Sequence, residues 1–251
     1  MVVNNLPEVV VLAGGIGQRF RQSGLTSTEK PLIKVHGASQ IVWALLGVAH
    51  SYPGARVYIA SRSGLIEPLR TELEGSVSGL ITEFVDIGEA TLGAAHSLKL
   101  FIENSKILDP NSQLISCDND CLSIVSRPKA PYFVSVMRSV NPGHCFVSTN
   151  KNGQVQRLHE KFVVGSLALS GHYSFASSLA YLDFYTETIF HESEFFLSRV
   201  VEQVVNSSVM FDTVVCDYHF SLGTPSEIQS ADPKIIQFDR YNTDKNIETN
   251  L

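Results

Sequence analysis

The chain has 251 residues, of which 44% are hydrophobic and 18% charged. This composition is typical of a soluble enzyme with one α/β domain, or one domain and a small lobe. The formal net charge of −6 excludes the chain-wide basic surface typical of nucleic-acid-binding proteins. The sequence has neither an apolar run of membrane-spanning length nor the pattern of a signal peptide. We therefore expect a cytoplasmic protein that binds neither nucleic acid nor membrane.

Short β-type segments alternate with helical segments through the first half of the chain. In order, the pattern predicts a strand at 9–12, a helix at 40–50, a strand at 56–60, a helix at 64–73, a strand at 80–86, a helix at 91–102 and a strand at 113–117. Such alternation predicts βαβ units and a parallel sheet.

The pattern changes from Tyr132, where β-type segments follow one another. They lie at 132–139, 145–150 and 154–161, followed by helices at 177–188 and 195–205 and a strand at 209–216. Asn152-Gly153 between two such segments predicts a hairpin. We expect the polar tail from Asp232 to be loosely attached. The predicted fold class is α/β, with a Rossmann-like, mixed and mostly parallel sheet flanked by helices and a small antiparallel extension.

The first strand leads into the sequence LAGGIGQRF, which is rich in glycine. Gly14, Gly15 and Gly17 let the backbone turn tightly and approach a ligand closely. Exposed backbone N–H groups in such a turn bind anions, and Arg19 and Lys30 add positive charge. The spacing matches neither the P-loop nor the dinucleotide fingerprint, and a glycine-rich turn by itself is often an ordinary loop. The two cations favour a polyphosphate-binding loop.

The segment around residue 91 is a second candidate for ligand binding. Thr91 is predicted to cap a helix whose first residues, Gly93 and Ala94, are small. A phosphate or flat ring could therefore approach the backbone at the helix N-terminus. The alternative is an ordinary capped amphipathic helix.

Two carboxylates follow the buried strand at 113–117. Asp118 and Asp120 are expected at the edge of the sheet where α/β proteins bind ligands, and carboxylate oxygens there suit Mg²⁺. The alternative is an Asx turn that caps the strand.

Four cysteines are present in the chain, at positions 117, 121, 145 and 216. Their spacings fit no standard zinc pattern. We expect buried free thiols.

These motifs together resemble the sugar-phosphate nucleotidyltransferases, or NDP-sugar pyrophosphorylases. The family pattern is approximately L-A-G-G-x-G-x-R-[LF], K-P, T-x-G-[AT]-A, a strand-end Asp, E-K, G-x-Y-x-F, E-[YF]-x-L and W-x-D-x-G-T-P. The matching segments are LAGGIGQRF, KPL, TLGAA, Asp118, Glu160-Lys161, GHYSF, EFFL and the partial match HFSLGTP. They occur in family order across nearly the whole chain. The resemblance implies a single nucleotidyltransferase domain, with an NTP-binding half at about 1–130, an acceptor-binding half at about 131–231 and a tail at 232–251.

The resemblance also implies roles for individual residues. Arg19 and the glycine-turn amides would hold the β and γ phosphates, Lys30 would neutralise the α-phosphate, and Lys161 would steer the acceptor phosphate. Asp118 would anchor Mg²⁺, and Asp120 is the second candidate ligand. The expected nucleotide-binding residues are Leu12, Ala13, Gly14, Gly15, Gly17, Glu89, Thr91, Gly93 and Ala94. The expected acceptor-binding residues are Glu160, Lys161, Gly171, Tyr173 and Glu194.

The last motif departs from the family pattern. In direct register, His219 replaces the family's Trp and Ser221 replaces its metal-binding Asp. Asp217 would need a backbone rearrangement to compensate. This departure puts the second metal carboxylate in doubt.

We therefore expect an enzyme that transfers NMP from an NTP to a phosphorylated sugar or similar metabolite and releases pyrophosphate. The motif variants resemble those of surface-polysaccharide nucleotidyltransferases more than those of housekeeping glucose-1-phosphate enzymes. One alternative is a glycosyltransferase of the related fold, suggested by the Asp118-x-Asp120 pattern. Another is a non-catalytic nucleotide-sensing module, suggested by Ser221. The sequence leaves the base, the acceptor and the oligomeric state open, a homo-oligomer included.

Overall fold

The structure is a computed structural model, and it describes residues 6–17, 20–21, 24, 27–75, 77–89, 91–126, 130–186, 190–191 and 194–244. Arg19 therefore lies outside the described residues, as does the end of the chain from residue 245.

The described chain alternates strands and helices in its first half and is richer in strands in its second half. The strands are β1 Glu8–Leu12, β2 Lys34–Val35, β3 Ala38–Ser39, β4 Arg56–Ser61, β5 Ile81–Asp86, β6 Leu114–Asp118, β7 Cys121–Ile124, β8 Phe133–Arg138, β9 Cys145–Thr149, β10 Val155–Glu160, β11 Leu167–Phe175, β12 Phe190–His191, β13 Glu194–Phe195, β14 Asp212–Val215 and β15 Tyr218–Ser221. The α-helices are α1 Gln40–Ser51, α2 Ile66–Leu73, α3 Ala94–Asn104, α4 Ser178–Phe184, α5 Leu197–Asn206 and α6 Pro225–Asp244. Short 3-10 turns occur at Lys30–Leu32, Ser63–Leu65 and Ser78–Leu80.

A nine-stranded mixed sheet forms the centre of the molecule, with the strand order β10-β9-β11-β6-β1-β4-β5 and with β8 and β14 joined to it through β11. The strands β6, β1, β4 and β5 are parallel. The strand β11 runs antiparallel to β6, β8 and β9, and the β9–β10 hairpin extends this antiparallel part. The predicted α/β class, with a mixed sheet and a small antiparallel extension, is confirmed.

The strand β1 is buried on both faces, which explains its continuous apolar sequence. Val9 and Val11 belong to a core cluster on one side of the sheet, and Val10 and Leu12 belong to a second cluster on the other side. Because alternate side chains of a strand point to opposite faces, this short segment joins both halves of the core.

The prediction of a loosely attached tail from Asp232 is wrong for the part that the structure describes. The helix α6 continues through this position, and Ile235 and Phe238 are 2% and 0% exposed. The segment is an amphipathic helix. Its apolar side chains pack on the core, although charged and polar residues dominate its composition. Within the described residues, no helix is both long and apolar enough to cross a membrane.

Candidate active site

A cavity of about 580 Å³ lies at the carboxyl ends of β1 and β6, where parallel strands of α/β proteins place their ligands. Its wall brings together segments that are far apart in sequence. Fourteen of the predicted site residues line it, namely Leu12, Gly14, Gly15, Gly17, Lys30, Thr91, Gly93, Ala94, Asp118, Asp120, Glu160, Gly171, Tyr173 and Glu194.

Three described residues of the predicted set lie outside the wall. Ala13 is fully buried and bonded to β4, with its amide donating to the Ala60 carbonyl. Glu89 is exposed in the loop after β5. Lys161 is exposed as well, and its Nζ lies 5.2 Å from the ring centre of Phe196, which lines the cavity.

The backbone of Gly17 lies close to the side chain of Lys30, although twelve residues separate them in sequence. Gly17 has a φ of +63°, and a Cβ at this position would lie 2.9 Å from Cβ of Lys30. Glycine is therefore needed both for the turn and for the close approach of Lys30. The glycine turn sets where the lysine enters the cavity.

Lys30 forms an ion pair inside the cavity wall. Its Nζ lies 2.6 Å from Oδ2 of Asp120, and the two side chains are 21% and 24% exposed. The structure thus gives Asp120 a partner that the sequence did not predict. An ammonium group lies at one of the two proposed metal ligands.

Asp118 lies in a more negative environment. Desolvation and the neighbouring Asp120 raise the pKa of Asp118 to about 8, against the lowering effect of Lys30. Glu160 and Glu194 contribute in the same direction as Asp120. The charged form of this carboxyl group therefore needs a nearby cation.

The described residues do not include a group of three or more His, Cys, Asp or Glu side chains that could hold a metal ion. Mg²⁺ needs fewer protein ligands, because it keeps several waters and shares phosphate oxygens. Asp118 at the end of β6 fits such an ion. The four cysteines are free, and Cys117 and Cys121 are buried.

Thr91 does not cap the helix that follows it, so this prediction is wrong. The helix α3 begins at Ala94 with Gly93 as its N-cap residue, and Gly93 has a φ of +132°. Instead, Oγ1 of Thr91 accepts a hydrogen bond of 2.7 Å from the Ser97 hydroxyl. A Cβ at Gly93 would lie 2.6 Å from the Phe195 carbonyl oxygen, so this glycine lets β13 approach the helix N-terminus.

The opposite wall is built by β10, β11 and β13. Oε1 of Glu160 accepts a hydrogen bond from Ser198. Gly171 has a φ of +97°, and a Cβ there would lie 3.1 Å from Oδ2 of Asp118. The backbone of β11 thus lies against the proposed metal ligand, and Tyr173 follows on the same strand.

The closing segment does not restore the missing carboxylate with Asp217. Ser221 pairs with Cys121 at one end of the β15–β7 ladder, and its hydroxyl lies 2.9 Å from Nε2 of His219. Asp217 precedes the other end of that ladder and accepts a hydrogen bond of 2.7 Å from Ser126. Gly223 is next to the site instead, because a Cβ there would lie 2.5 Å from Oδ2 of Asp120.

Sequence reasoning missed several residues of the wall, including Asn119, His144 and Phe196. The Asn119 amide donates to the carbonyl of Leu12 and so ties the end of β6 to the end of β1. Its position between Asp118 and Asp120 was a usable signal. Phe196 lies in the matched EFFL segment, so its position was a usable signal as well. His144 reaches the cavity from the turn before β9, which local patterns do not reveal.

No family model matches the chain, and a search of curated proteins also finds no match. Solved structures do share its fold. A nucleoside-diphosphate-sugar pyrophosphorylase from Vibrio cholerae RC9 is 14% identical, with a TM-score of 0.75 over 88% of this chain and 98% of that chain. An inositol-1-phosphate CTP transferase from T. maritima is 16% identical, with a TM-score of 0.71 over 88% of this chain and 91% of that one.

A UDP-glucose pyrophosphorylase complexed with UDP-glucose is 13% identical, with a TM-score of 0.72 over 93% of this chain and 99% of that chain. At these identities the likeness establishes the fold. The α/β fold with a mixed, mostly parallel sheet, predicted from the alternation of strands and helices, is thereby confirmed.

Proposed function

We propose that the protein is a nucleotidyltransferase that transfers NMP from an NTP to a phosphorylated sugar or a similar phosphorylated metabolite and releases pyrophosphate. The observation that carries the proposal is the convergence of five separate motifs on one cavity. The glycine turn, Lys30, the α3 N-terminus, the β6 carboxylates and the Glu160–Glu194 wall all line it. The structural neighbours named above are enzymes of this kind.

The reaction needs little covalent help from the protein. The acceptor phosphate is already an anionic nucleophile, so the chain has to hold two substrates in line and neutralise charge. We assign the donor polyphosphate to the amides of Gly14, Gly15 and Gly17 together with Arg19, and the reacting α-phosphate to Lys30. The base would lie against Thr91, Gly93 and Ala94.

We assign the acceptor to the opposite wall, formed by Glu160, Gly171, Tyr173 and Glu194. Lys161 would steer its phosphate, and the contact of Lys161 with Phe196 keeps its long side chain beside the cavity. Carboxylates can accept hydrogen bonds from the hydroxyl groups of a sugar. This arrangement suits a small hydroxylated acceptor that carries one phosphate.

We also propose a requirement for Mg²⁺. The charged residues of the described wall include four carboxylates, at Asp118, Asp120, Glu160 and Glu194, and one lysine. Two phosphorylated substrates would meet repulsion there unless a cation were added. Mg²⁺ held by Asp118 would supply positive charge to the phosphate oxygens. Asp120 is the weaker candidate ligand, because it is paired with Lys30.

The ion pair also bears on the glycosyltransferase alternative. Such an enzyme would use Asp118 and Asp120 together on a metal and would not need the glycine turn or Lys30. Lys30 instead lies in the wall and bonds one of these carboxylates, which favours transfer from an NTP. The variants of the motifs suggest a role in making surface-polysaccharide precursors, and we extend the proposal to that class of product.

The test is pyrophosphate release from each of four NTPs with a panel of sugar phosphates and related phosphates, with and without Mg²⁺. Lys30→Ala and Lys161→Ala should each lose on the order of 2–4 kcal/mol of transition-state stabilisation, a fall of roughly 30-fold to 10³-fold in kcat/KM. Lys34→Ala is the matched control, because Lys34 pairs with Glu72 on the exposed surface. Full activity in both the Lys30 and the Lys161 variant would contradict the assigned roles.

A further inference from the structure

His144 is a basic residue of the cavity wall that none of the recognised motifs contains. It lies in the turn before β9, and its side chain is 19% exposed. Nε2 lies 2.8 Å from Oε1 of Glu227, and Nδ1 lies 2.8 Å from the Ser139 hydroxyl. Both ring nitrogens are therefore held by the protein, so the ring has a fixed orientation at the cavity.

Glu227 lies in the first turn of α6 and is 14% exposed. Burial favours its neutral form, but hydrogen bonds from His144 and Thr224 outweigh this and lower the pKa of Glu227. The Thr224 hydroxyl donates to Oε2 over 3.0 Å, and the Asn141 amide donates to Oε1 over 3.3 Å. The carboxylate thus joins the turn before β9 to the segment that leads into α6.

The His144–Glu227 contact is connected to both lysines assigned to catalysis. Glu227 leads to Lys30, and His144 leads to Lys161. Gly223 is next to Glu227 and Asp120, since a Cβ on Gly223 would lie 3.3 Å from Oε2 of Glu227 and 2.5 Å from Oδ2 of Asp120. Asp120 in turn holds Lys30.

On the other side, the carbonyl of His144 accepts a hydrogen bond of 3.1 Å from the amide of Lys161. Lys161 has a φ of +53°, a left-handed conformation that is uncommon for a residue with a side chain and needs support from its neighbours. The backbone of His144 supplies such support at the point where the chain leaves β10.

We infer that the His144–Glu227 pair is a latch that fastens the segment 222–227 to the acceptor wall. It thereby positions Lys161 for the acceptor phosphate and the Lys30–Asp120 pair for the reacting α-phosphate. His144 is a positioning residue in this arrangement, since its nitrogens face protein groups. The inference rests on the proposed function for its kinetic consequence, but the latch itself is a property of the ligand-free chain.

A matched control exists on the same helix. His36 and Asp232 form a second histidine–carboxylate pair, with Nε2 2.8 Å from Oδ1, but their side chains are 40% and 58% exposed. Asp232→Ala removes the same chemistry from α6 at a position that does not line the cavity. It separates loss of the latch from a general weakening of the helix.

The first measurement is hydrogen exchange of the ligand-free, full-length chain. His144→Ala and Glu227→Ala should speed amide exchange by about tenfold or more in the segments 139–145 and 222–228, because each leaves a partly buried polar partner unsatisfied. Asp232→Ala should leave both segments unchanged. His144→Gln can still donate to Glu227 and should restore part of the protection, which also covers the case where an alanine variant folds poorly. Unchanged exchange in both alanine variants would overturn the latch.

The second measurement uses the NTP and acceptor found by the pyrophosphate assay. Both alanine variants should raise the KM of the acceptor by about tenfold or more and leave the KM of the NTP within about twofold. The double variant should be no worse than the more impaired single variant. Multiplicative losses, or unchanged acceptor KM, would overturn the positioning role. Faster exchange in a chain whose wild type turns over no substrate pair would support the latch and reject the proposed function.

Discussion

Gly17 and Gly15 lie two residues apart in the same turn but carry different physical constraints. Gly17 has a left-handed φ of +63°, and a Cβ on it would lie 2.9 Å from Cβ of Lys30, whereas a Cβ on Gly15 would meet nothing within 4 Å. The glycine turn therefore has room for a side chain at Gly15, whereas a side chain at Gly17 would be strained. The position of Lys30 depends on Gly17.

Gly17→Ala should lower the free energy of unfolding by about 1–2 kcal/mol from the backbone conformation alone, and the contact with Lys30 adds to this loss. Gly15→Ala should change it by less than about 0.5 kcal/mol. Urea denaturation of both variants at neutral pH measures the difference. Equal stability of the two would mean that the turn relaxes without cost.

The sequence was informative about residues whose chemistry is local. The glycine turn, Lys30, Asp118 and Gly171 could be assigned to a site because each belongs to a short motif, and all of them line the cavity. The Lys30–Asp120 pair could not be predicted, since its members lie ninety positions apart in the sequence. His144 was out of reach for the same reason, because its partner lies on α6.

At the scale of elements, the helix α6 shows how composition can mislead. Its residues from Asp232 onward are largely polar, which suggested a loose tail. Phe238 is nonetheless fully buried, with its ring centre 6.0 Å from that of Trp43 and 5.7 Å from that of Tyr218. The helix closes one face of the core, and its first turn places Glu227 beside His144 of the cavity wall.

Phe238→Ala should destabilise the protein by about 3–5 kcal/mol, the usual cost of emptying an aromatic site in a core. Ile236→Ala is the control on the same helix, because Ile236 is 52% exposed, and it should cost less than about 1 kcal/mol. Urea denaturation compares the two variants. A similarly small loss of stability in both variants would show that this part of α6 is loosely attached.

The sheet was predictable as far as periodicity and hairpin signals allow. The parallel strands β1, β4, β5 and β6 and the β9–β10 hairpin lie where the pattern predicts them, with ends shifted by one or two residues. The antiparallel pairing of β11 with β6 was not predicted, although it brings Gly171 and Tyr173 to the cavity. Long-range pairing depends on the whole core and leaves little trace in a local window.

At the scale of the whole molecule, His172 connects the sheet to the layer that covers it. It lies on β11, is 3% exposed, and its Nδ1 lies 3.0 Å from the hydroxyl of Tyr52, just after α1. Burial lowers the pKa of His172 to about 4, while burial raises the pKa of Tyr52 and of Cys117, the residue paired with His172 on β6. Within this group, only His172 gains a proton in the unfolded chain between pH 7 and pH 5.

Acid should therefore weaken the fold through this residue. The unfolded chain takes up a proton below the ordinary histidine pKa of about 6.5, whereas the folded chain does not until about pH 4. The stability contributed by neutral His172 is complete above pH 6.5 and is lost as the pH falls towards 4, with a slope of up to about 1.4 kcal/mol per pH unit.

His172→Gln removes this titration, whatever its cost at neutral pH. Between pH 7 and pH 5 the wild type should lose about 2 kcal/mol more unfolding free energy than the variant does, since all other titrating groups, including buried His219, are common to both chains. Urea denaturation of the wild type and the variant at pH 7 and at pH 5 measures this difference in lost stability. Parallel stability curves for wild type and variant would show that His172 binds its proton equally well in the folded state.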